Sequence, residues 1–260
     1  MLSAARHYRR RRHPVLVIAL GSLAVIMEAV LPVYASEADE SGNAYAALTA
    51  DFREGDFGTP VNNELYSLTP EMGYVSDRYD LSVTIPLHRI SVSGGGLSST
   101  ESGVGDAVLR GGRRLWRNEG GEFSLSGALT LKLATGDENK GLGTGATDIG
   151  VSMSGTRRAG VYAFTALAGY TQVGEPEGIV YDNIVSYGVG INRGFTRTNV
   201  FASLQGQTSV LPGGTDPLEF DVGFFRMLSL DYVIIAHAVV GLSDGSPDDG
   251  VGLGFVRWFR

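Results

Sequence analysis

The feature that most restricts the fold of this sequence is a two-residue alternation of apolar and polar side chains that recurs along the chain. From Leu218 to Phe224, apolar residues alternate with Glu219, Asp221 and Gly223. Successive side chains of a β-strand point to opposite faces, so this period is typical of a strand with one apolar and one polar face. Beyond residue 43, no window carries apolar residues at helical spacing over three turns. The alternating runs therefore predict strands.

The number and length of these runs, together with their connections, indicate a barrel that spans a membrane. Most runs reach the roughly nine to eleven residues that a tilted strand needs to cross a bilayer. The connections after even-numbered runs are short and most of the others are longer, which is the arrangement of outer-membrane barrels. The longer predicted loops include 54–63, 90–103, 135–144 and 173–180. The twelve predicted strands are 44–53, 64–74, 79–89, 104–117, 122–134, 145–157, 160–172, 181–194, 198–210, 217–227, 230–242 and 249–259.

A soluble β-sandwich or lipocalin-like barrel is the alternative, because it shows the same alternation with its apolar rows turned inward. The faces opposite the apolar rows carry mainly Gly, Ser, Thr, Asn, Asp and Gln, which would form a poor core but suit a wet lumen. Aromatic residues such as Tyr74, Tyr79 and Tyr162 lie near predicted strand ends, as in the girdles of membrane barrels. We therefore predict an all-β fold, a single transmembrane up-and-down antiparallel β-barrel of about twelve strands.

The N-terminus predicts a cleaved secretory signal peptide. A basic cluster at 6–12 precedes an apolar run at 15–26, and Val33–Ala35 offers a cleavage site. A retained membrane anchor is the alternative, but Glu28 and Pro32 interrupt the apolar stretch. The predicted organisation is a signal peptide at 1–35, a short periplasmic segment at 36–43 and an outer-membrane barrel at 44–260.

Composition excludes several classes of function. The chain has no Cys, which excludes disulfide frameworks, thiolate catalysis, cysteine zinc sites and iron–sulfur clusters. Cleavage after residue 35 removes five Arg and one Glu, so the 21 basic and 28 acidic residues fall to 16 and 27, a net charge of −11. Because nucleic-acid binding needs clustered cations, this balance argues against a nucleic-acid partner.

Two segments resemble the family of outer-membrane transporters labelled for the meta-pathway of phenol degradation. They are ATGDENKGLGTGATDIG at 134–150 and GLSDGSPDDGVGLGF at 241–255. The resemblance extends from about residue 60 onward and implies an exported barrel that passes small, often aromatic or apolar, compounds. It supplies no catalytic residues. The alternation at 251–259 is also similar to the terminal signal that hands barrels to their assembly machinery.

The candidate site is the charged inner row of the barrel, where water or opposite charges can stabilise polar groups. These charges either pair across a narrow lumen and plug it, or select solutes by size and charge, and the sequence leaves both readings open. The predicted lumen-lining residues are Glu71, His88, Arg110, Lys132, Asp148, Asp182, Glu219, Asp221, Asp231 and His237.

Three further patterns concern the wall and its loops. Arg110 and Arg114 lie at even positions of their strand and Arg113 and Arg117 at odd positions, so the two pairs differ in parity, meaning the face of the strand to which a side chain points. The four cannot all face inward in a regular strand, and we expect a bulge or a rim position there. The Asp-rich segment 243–249 lacks calcium-loop spacing and predicts a solvated loop tip that bridges divalent ions to lipopolysaccharide. The glycine-rich segment 141–145 lacks the context of a phosphate loop and predicts a flexible rim loop.

The sequence predicts a non-enzymatic, passive outer-membrane channel for small compounds, without metal or cofactor. The expected partners are the solute, outer-membrane lipid and lipopolysaccharide, and the barrel-assembly machinery. One alternative is a structural or adhesion barrel with a closed lumen and partner-binding outer loops. A second is a lipid-modifying enzyme, in which His237 would activate Ser209 or Ser229.

Overall fold

The computed structural model describes residues 42–176 and 178–259, and strands form nearly all of its regular structure. The predicted signal peptide at 1–35 and most of the predicted segment 36–43 lie outside the described residues. Within the described ranges, no helix is both long and apolar enough to cross a membrane. The strands are β1 Asn43–Gly55, β2 Asn62–Val75, β3 Tyr79–Thr84, β4 Leu87–Gly94, β5 Leu97–Val104, β6 Ala107–Arg117, β7 Phe123–Leu133, β8 Asp148–Ala159, β9 Tyr162–Gln172, β10 Ile184–Gly194, β11 Thr198–Gln207, β12 Leu218–Met227, β13 Tyr232–Gly241 and β14 Asp249–Phe259.

These strands build a closed antiparallel barrel of twelve wall strands, which confirms the predicted fold class. β14 pairs with β1 in a register that joins Ala44 to Phe259, so the wall has no open edge there. β3 and β4 pair with the two halves of β2 and together make one wall strand. In the same way, β5 pairs with β4 and β6 pairs with β3, and β5 and β6 together make the next wall strand.

Pro86 explains the break between β3 and β4. Proline has no N–H to donate to a ladder, so it interrupts a strand inside a sheet. The wall stays connected because the N–H of Gly105 donates to the carbonyl of Pro86 at 2.8 Å, and the N–H of Ile85 donates to that of Pro70 at 3.2 Å.

The prediction of a long loop at 90–103 is wrong. β4 and β5 form a hairpin whose register runs from Leu87 opposite Val104 to Gly94 opposite Leu97. Its tip contains Gly94, Gly95 and Gly96, all with positive φ angles that favour glycine. The Ser- and Gly-rich composition of this stretch is typical of a loop, but its backbone pairs as a strand extension.

The apolar rows face outward and the polar rows inward, as predicted. Leu253 is 66% exposed and Leu81 58% exposed, although both are large apolar residues, whereas Asp221 is fully buried. A wall that leaves its apolar side chains exposed on the outside suits a hydrocarbon surround.

The two ends of the barrel differ in their connections, as predicted. At one end, here called the short-turn end, the strands are joined by the turns 76–78, 118–122, 160–161, 195–197 and 228–231. The chain positions Asn43 and Phe259 also lie there. The opposite end, here called the long-loop end, carries the connections 56–61, 134–147, 173–183, 208–217 and 242–248 and the tip of the β4–β5 hairpin.

A bulge in β6 resolves the conflict of parity among its arginines. The register against β7 shifts between Arg114 and Trp116, which leaves Leu115 as the extra residue. An extra residue returns the following side chains to the other face, so Arg117 shares the inward parity of Arg110 and Arg114. Arg113 alone keeps the outward parity, and it is exposed.

Candidate functional site

The strand registers bring eight of the ten predicted lumen residues onto the inward face of the barrel. They are Glu71, His88, Arg110, Lys132, Asp148, Glu219, Asp221 and His237.

The other two predicted residues lie outside the strands, which corrects their assignment to the wall. Asp182 is exposed in the connection 173–183, because the buried ring of Tyr181 packs with Val173 and Val210 and β10 begins only at Ile184. Asp231 is exposed in the turn 228–231, where its N–H donates to Ser229 Oγ at 3.2 Å.

A histidine held between two carboxylates lies on the inner wall, in the middle of β13. His237 Nδ1 lies 3.1 Å from Asp221 Oδ2, and His237 Nε2 lies 3.0 Å from Asp51 Oδ1. Each ring nitrogen of His237 therefore has one carboxylate within hydrogen-bond distance. Asp51 is one of the residues that sequence reasoning missed, because its partner lies 186 positions further along the chain.

Glycine on β14 creates the space for this contact. His237 is on β13 and Asp51 is on β1, and β14 lies between them with Gly252 in register with both. A Cβ at Gly252 would overlap His237 Nε2 and lie 2.5 Å from Asp51 Oδ1. The missing side chain therefore allows the two residues to meet across an intervening strand.

A second ion pair crosses the same wall towards the long-loop end. Arg53 Nη1 on β1 lies 3.0 Å from Glu219 Oε2 on β12, and both side chains are largely buried. Gly250 lies under this pair, because a Cβ there would be 2.9 Å from Arg53 Cγ. Glycines at inward positions of β14 thus let charged side chains lie flat against the wall.

Lys132 anchors the connection 134–147. Its Nζ lies 2.6 Å from Asp148 Oδ2, 2.6 Å from Thr144 Oγ1 and 3.5 Å from Asp106 Oδ2. The buried carboxylate of Asp106 also accepts the N–H of Gly136 at 2.9 Å and that of Thr144 at 3.0 Å. A charged carboxylate with two backbone donors and an ammonium partner fixes both ends of this loop.

The same loop inserts an apolar side chain into the barrel. Leu142 is buried against Leu65 and Ile90, which lie on the inward faces of β2 and β4. The loop is therefore folded against the inner wall, so the flexible rim loop predicted for 141–145 is not what the structure contains. Leu142 is the sole large apolar residue between 136 and 148, a signal that sequence reasoning did not use.

Polar groups also pair near the short-turn end. Tyr45 and Thr84 donate hydrogen bonds to the two carboxylate oxygens of Glu71, the second at 3.0 Å. Arg110 forms an ion pair with Asp80 on the neighbouring strand β3.

One sector of the interior is apolar, whereas the polar faces of the sequence predict a wet lumen. Its inward side chains bury one another towards the short-turn end. β13 carries the signal, because the run Tyr232–Val240 is apolar on both faces apart from His237, a pattern typical of a strand buried on both sides. The buried cluster consists of Tyr45, Val75, Phe201, Phe225, Val233, Ile235, Val256 and Trp258.

The histidines do not form the triad of the enzyme alternative. His237 contacts Asp51 and Asp221 instead of Ser209 or Ser229. Ser67 Oγ lies 2.8 Å from His88 Nδ1, a pair that sequence reasoning did not identify. Among the described residues, no group of three or more His, Cys, Asp or Glu is placed to hold a metal ion.

Comparisons with known proteins agree with this architecture. A sequence model of the family described as "Putative MetA-pathway of phenol degradation" matches residues 35–255. The search of curated proteins found no significant match.

Among solved structures, an outer membrane channel from Pseudomonas putida aligns with a TM-score of 0.73 at 16% identity, over 84% of this chain and 96% of that chain. The KdgM porin aligns with a TM-score of 0.55 at 8% identity, over 83% and 99% of the two chains. The translocator domain of the autotransporter NalP from Neisseria meningitidis aligns with a TM-score of 0.52 at 13% identity, over 91% and 96%. At these identities the likeness is one of fold. The match to the family model covers most of the sequence, and the chain therefore belongs to the family described as "Putative MetA-pathway of phenol degradation".

Proposed function

We propose that this chain is an outer-membrane channel through which small aromatic or apolar compounds diffuse passively. The observation that carries the proposal is the polarity of the barrel, with exposed apolar residues outside and charged residues inside. That distribution suits a wall between lipid and a polar passage. In this proposal the short-turn end faces the periplasm, because tight turns lie on that side of outer-membrane barrels.

The class of solute follows from the two kinds of inner wall. Most charged side chains of the inner wall pair with one another, as Arg53 does with Glu219 and Lys132 with Asp148. Few charges are therefore left to bind an ionic solute. The buried apolar sector adds no charge to its part of the interior, so nothing there favours an ion over an uncharged solute. The description of the family names phenol degradation, which agrees with a small aromatic compound.

The membrane placement carries further proposals. Export would use residues 1–35 as a cleaved signal peptide, and β14 would present the barrel to the assembly machinery. The exterior would contact outer-membrane lipid and lipopolysaccharide. The lumen-lining set would be the eight inward residues named above.

Transport by the full chain in vesicles whose outer leaflet is lipopolysaccharide tests the proposal, because that leaflet slows apolar compounds. We expect labelled phenol or toluene to equilibrate faster with the protein than without it, and at the same rate after any ion gradient is dissipated. Equal rates with and without protein would refute the channel, and dependence on a gradient would refute passive diffusion.

Two adjacent isoleucines provide a matched pair of variants for the apolar sector. Ile235 faces inward and is 4% exposed, whereas Ile234 has the outward parity of the same strand. We expect Ile235→Thr to slow the aromatic solute and Ile234→Thr to leave it unchanged. Equal effects of the two variants would show that the apolar sector does not influence the passage of the solute.

A closed structural barrel is the second candidate, and the inserted Leu142 together with the paired charges favours it. Ionic conductance across planar bilayers separates the candidates, because a closed barrel conducts no current. If the lumen conducts, charge reversal at Lys132 together with Arg110 should change cation–anion selectivity. Unchanged selectivity would place both residues outside the pathway.

A further inference from the structure

Five arginines repeat at one level around the outside of the barrel. Each lies on a strand that runs towards the short-turn end, within a few residues of the end of that strand. Each has the outward parity and is exposed. The five residues, here called the arginine ring, are Arg113 on β6, Arg157 on β8, Arg193 on β10, Arg226 on β12 and Arg257 on β14.

The arginine ring marks the edge of the apolar exterior. On β14 the outward residues before Arg257 are Val251, Leu253 and Phe255, and all three are exposed. On β12 the outward residues from 220 to 224 are likewise apolar and precede Arg226. Charges next to the end of an apolar band lie where hydrocarbon gives way to lipid head groups, and long basic side chains extend towards that layer.

Aromatic rings orient four of the five guanidinium groups. The guanidinium carbon of Arg113 lies 5.5 Å from the ring centroid of Tyr79, and that of Arg157 lies 5.2 Å from that of Phe123. These rings stand directly opposite the arginines on the adjacent strand.

The pattern continues around the wall. Arg193 lies 5.7 Å from Tyr162 and Arg257 lies 5.9 Å from Tyr232, again in register. Arg226 faces Thr198 instead. Cation–π contacts hold a guanidinium without neutralising it, so its N–H groups stay available to an anion.

The arginine ring has no carboxylate partner in the part of the chain that the structure describes. This contrasts with the inward Arg53, Arg110 and Arg114, each of which forms an ion pair. The outward charges of the long-loop end have the opposite sign where β14, β1 and β2 meet, since Asp249, Glu54 and Glu64 lie side by side in register. The exterior is therefore electrically asymmetric along the barrel axis.

We propose that the arginine ring binds the phosphate groups of anionic phospholipids in the leaflet at the short-turn end, which is the periplasmic leaflet under the proposed function. Guanidinium groups bind phosphate through paired N–H donors, and these five occupy the height of the head groups. The aromatic residues beside them suit the same interfacial layer. The ring thus fixes the height of the barrel and selects its lipid neighbours.

Tryptophan fluorescence of the full chain in vesicles tests this proposal. Trp116 is 56% exposed and pairs outward with Leu125 near Arg113, whereas Trp258 faces the interior and is 7% exposed. Brominated phosphatidylglycerol and brominated phosphatidylcholine are compared as quenchers in otherwise identical vesicles. A single basic residue near an anionic surface corresponds to about a fivefold preference for the charged lipid at low salt.

We expect that preference in the unaltered chain, its loss when all five arginines are changed to Gln, and a partial loss in Arg113→Gln. Arg89→Gln is the matched control, because Arg89 is also exposed and outward but lies towards the long-loop end. It should keep the preference. If the variant with all five arginines changed does not fold, Arg113→Gln and a weaker preference for phosphatidylglycerol at high salt give the same information.

Equal quenching by the two lipids in the unaltered chain would overturn the proposal, as would an equal loss in Arg89→Gln. A stronger preference for lipid A phosphates than for phosphatidylglycerol would also overturn it, because it would assign the ring to the opposite leaflet. The channel is judged separately, by conductance in neutral phosphatidylcholine membranes. If the protein prefers phosphatidylglycerol but conducts no current, the proposal for the arginine ring stands and the proposed channel is refuted.

Discussion

Gly252 supports the contact between Asp51, His237 and Asp221, and its replacement by alanine should separate them. A Cβ at this position would overlap His237 Nε2, so the imidazole has to leave its place. Gly190 is the matched control, because it is also an inward glycine of a strand but a Cβ there would lie 3.5 Å from Ser203, an ordinary contact. The two variants therefore make the same chemical change in sites with and without space.

The magnitude follows from the burial of Asp221, which is 0% exposed. Breaking a buried charge pair by displacing one partner costs about 3–5 kcal/mol, because the remaining charge is left uncompensated. Replacing glycine by alanine itself gains about 0.4–1 kcal/mol through the unfolded chain. We expect Gly252→Ala to lower the free energy of unfolding by about 2–4 kcal/mol and Gly190→Ala to leave it unchanged or slightly raised.

Urea unfolding of the barrel in detergent or vesicles, followed by tryptophan fluorescence, measures both variants. A second pair made in the His237→Ala background tests the cause, because the overlap with the imidazole disappears and the Asp51 carboxylate, 2.5 Å from the added Cβ, no longer has His237 to hold it in place. In that background, Gly252→Ala should lower the free energy of unfolding by about 1 kcal/mol or less. Equal stability of the two glycine variants, or an undiminished cost in the His237→Ala background, would refute the reasoning.

Two further predictions concern the long-loop end. Changing Leu142 to Ser should release the connection 134–147 from Leu65 and raise single-channel conductance in planar bilayers, whereas Lys140→Gln in the same loop should not; equal conductances would show that the loop does not restrict the lumen. Burial, followed by the negative charges of Asp148 and Glu138, raises the pKa of Tyr181, which lies outside the strands. Because unfolded tyrosine ionises near pH 10 and folded Tyr181 only above it, stability towards urea should fall as pH rises above about 10, and more weakly in Tyr181→Phe; an identical pH profile for the two proteins would contradict this.

The wall of the barrel could be predicted because its signals are local. Alternation along a strand requires only that successive side chains point to opposite faces, and short or long connections are read directly from the spacing of the runs. The hairpin of β4 and β5 was missed because serine and glycine at 91–100 carry weak strand preference. Its pairing with β2 supplies the stability that its composition does not.

The candidate site could be predicted only in part. Parity along each strand identified Asp221, Glu219 and His237 as inward, and the registers agree. Their partners Asp51 and Arg53 were not found, because a partner on the far side of the barrel closure leaves no mark in local spacing. The apolar sector was not predicted, although β13 carries its signal by being apolar on both faces.

The sequence by itself determined the all-β architecture, the strand faces, the sorting of turns and loops, and membership of the family, since each depends on residues close together in the chain or on the order of residues along it. Only the tertiary structure decided which charges meet, that Leu142 turns into the barrel, and that five separate arginines form one ring. Those features depend on register and closure, which bring together residues far apart in sequence once each strand has paired with its neighbours.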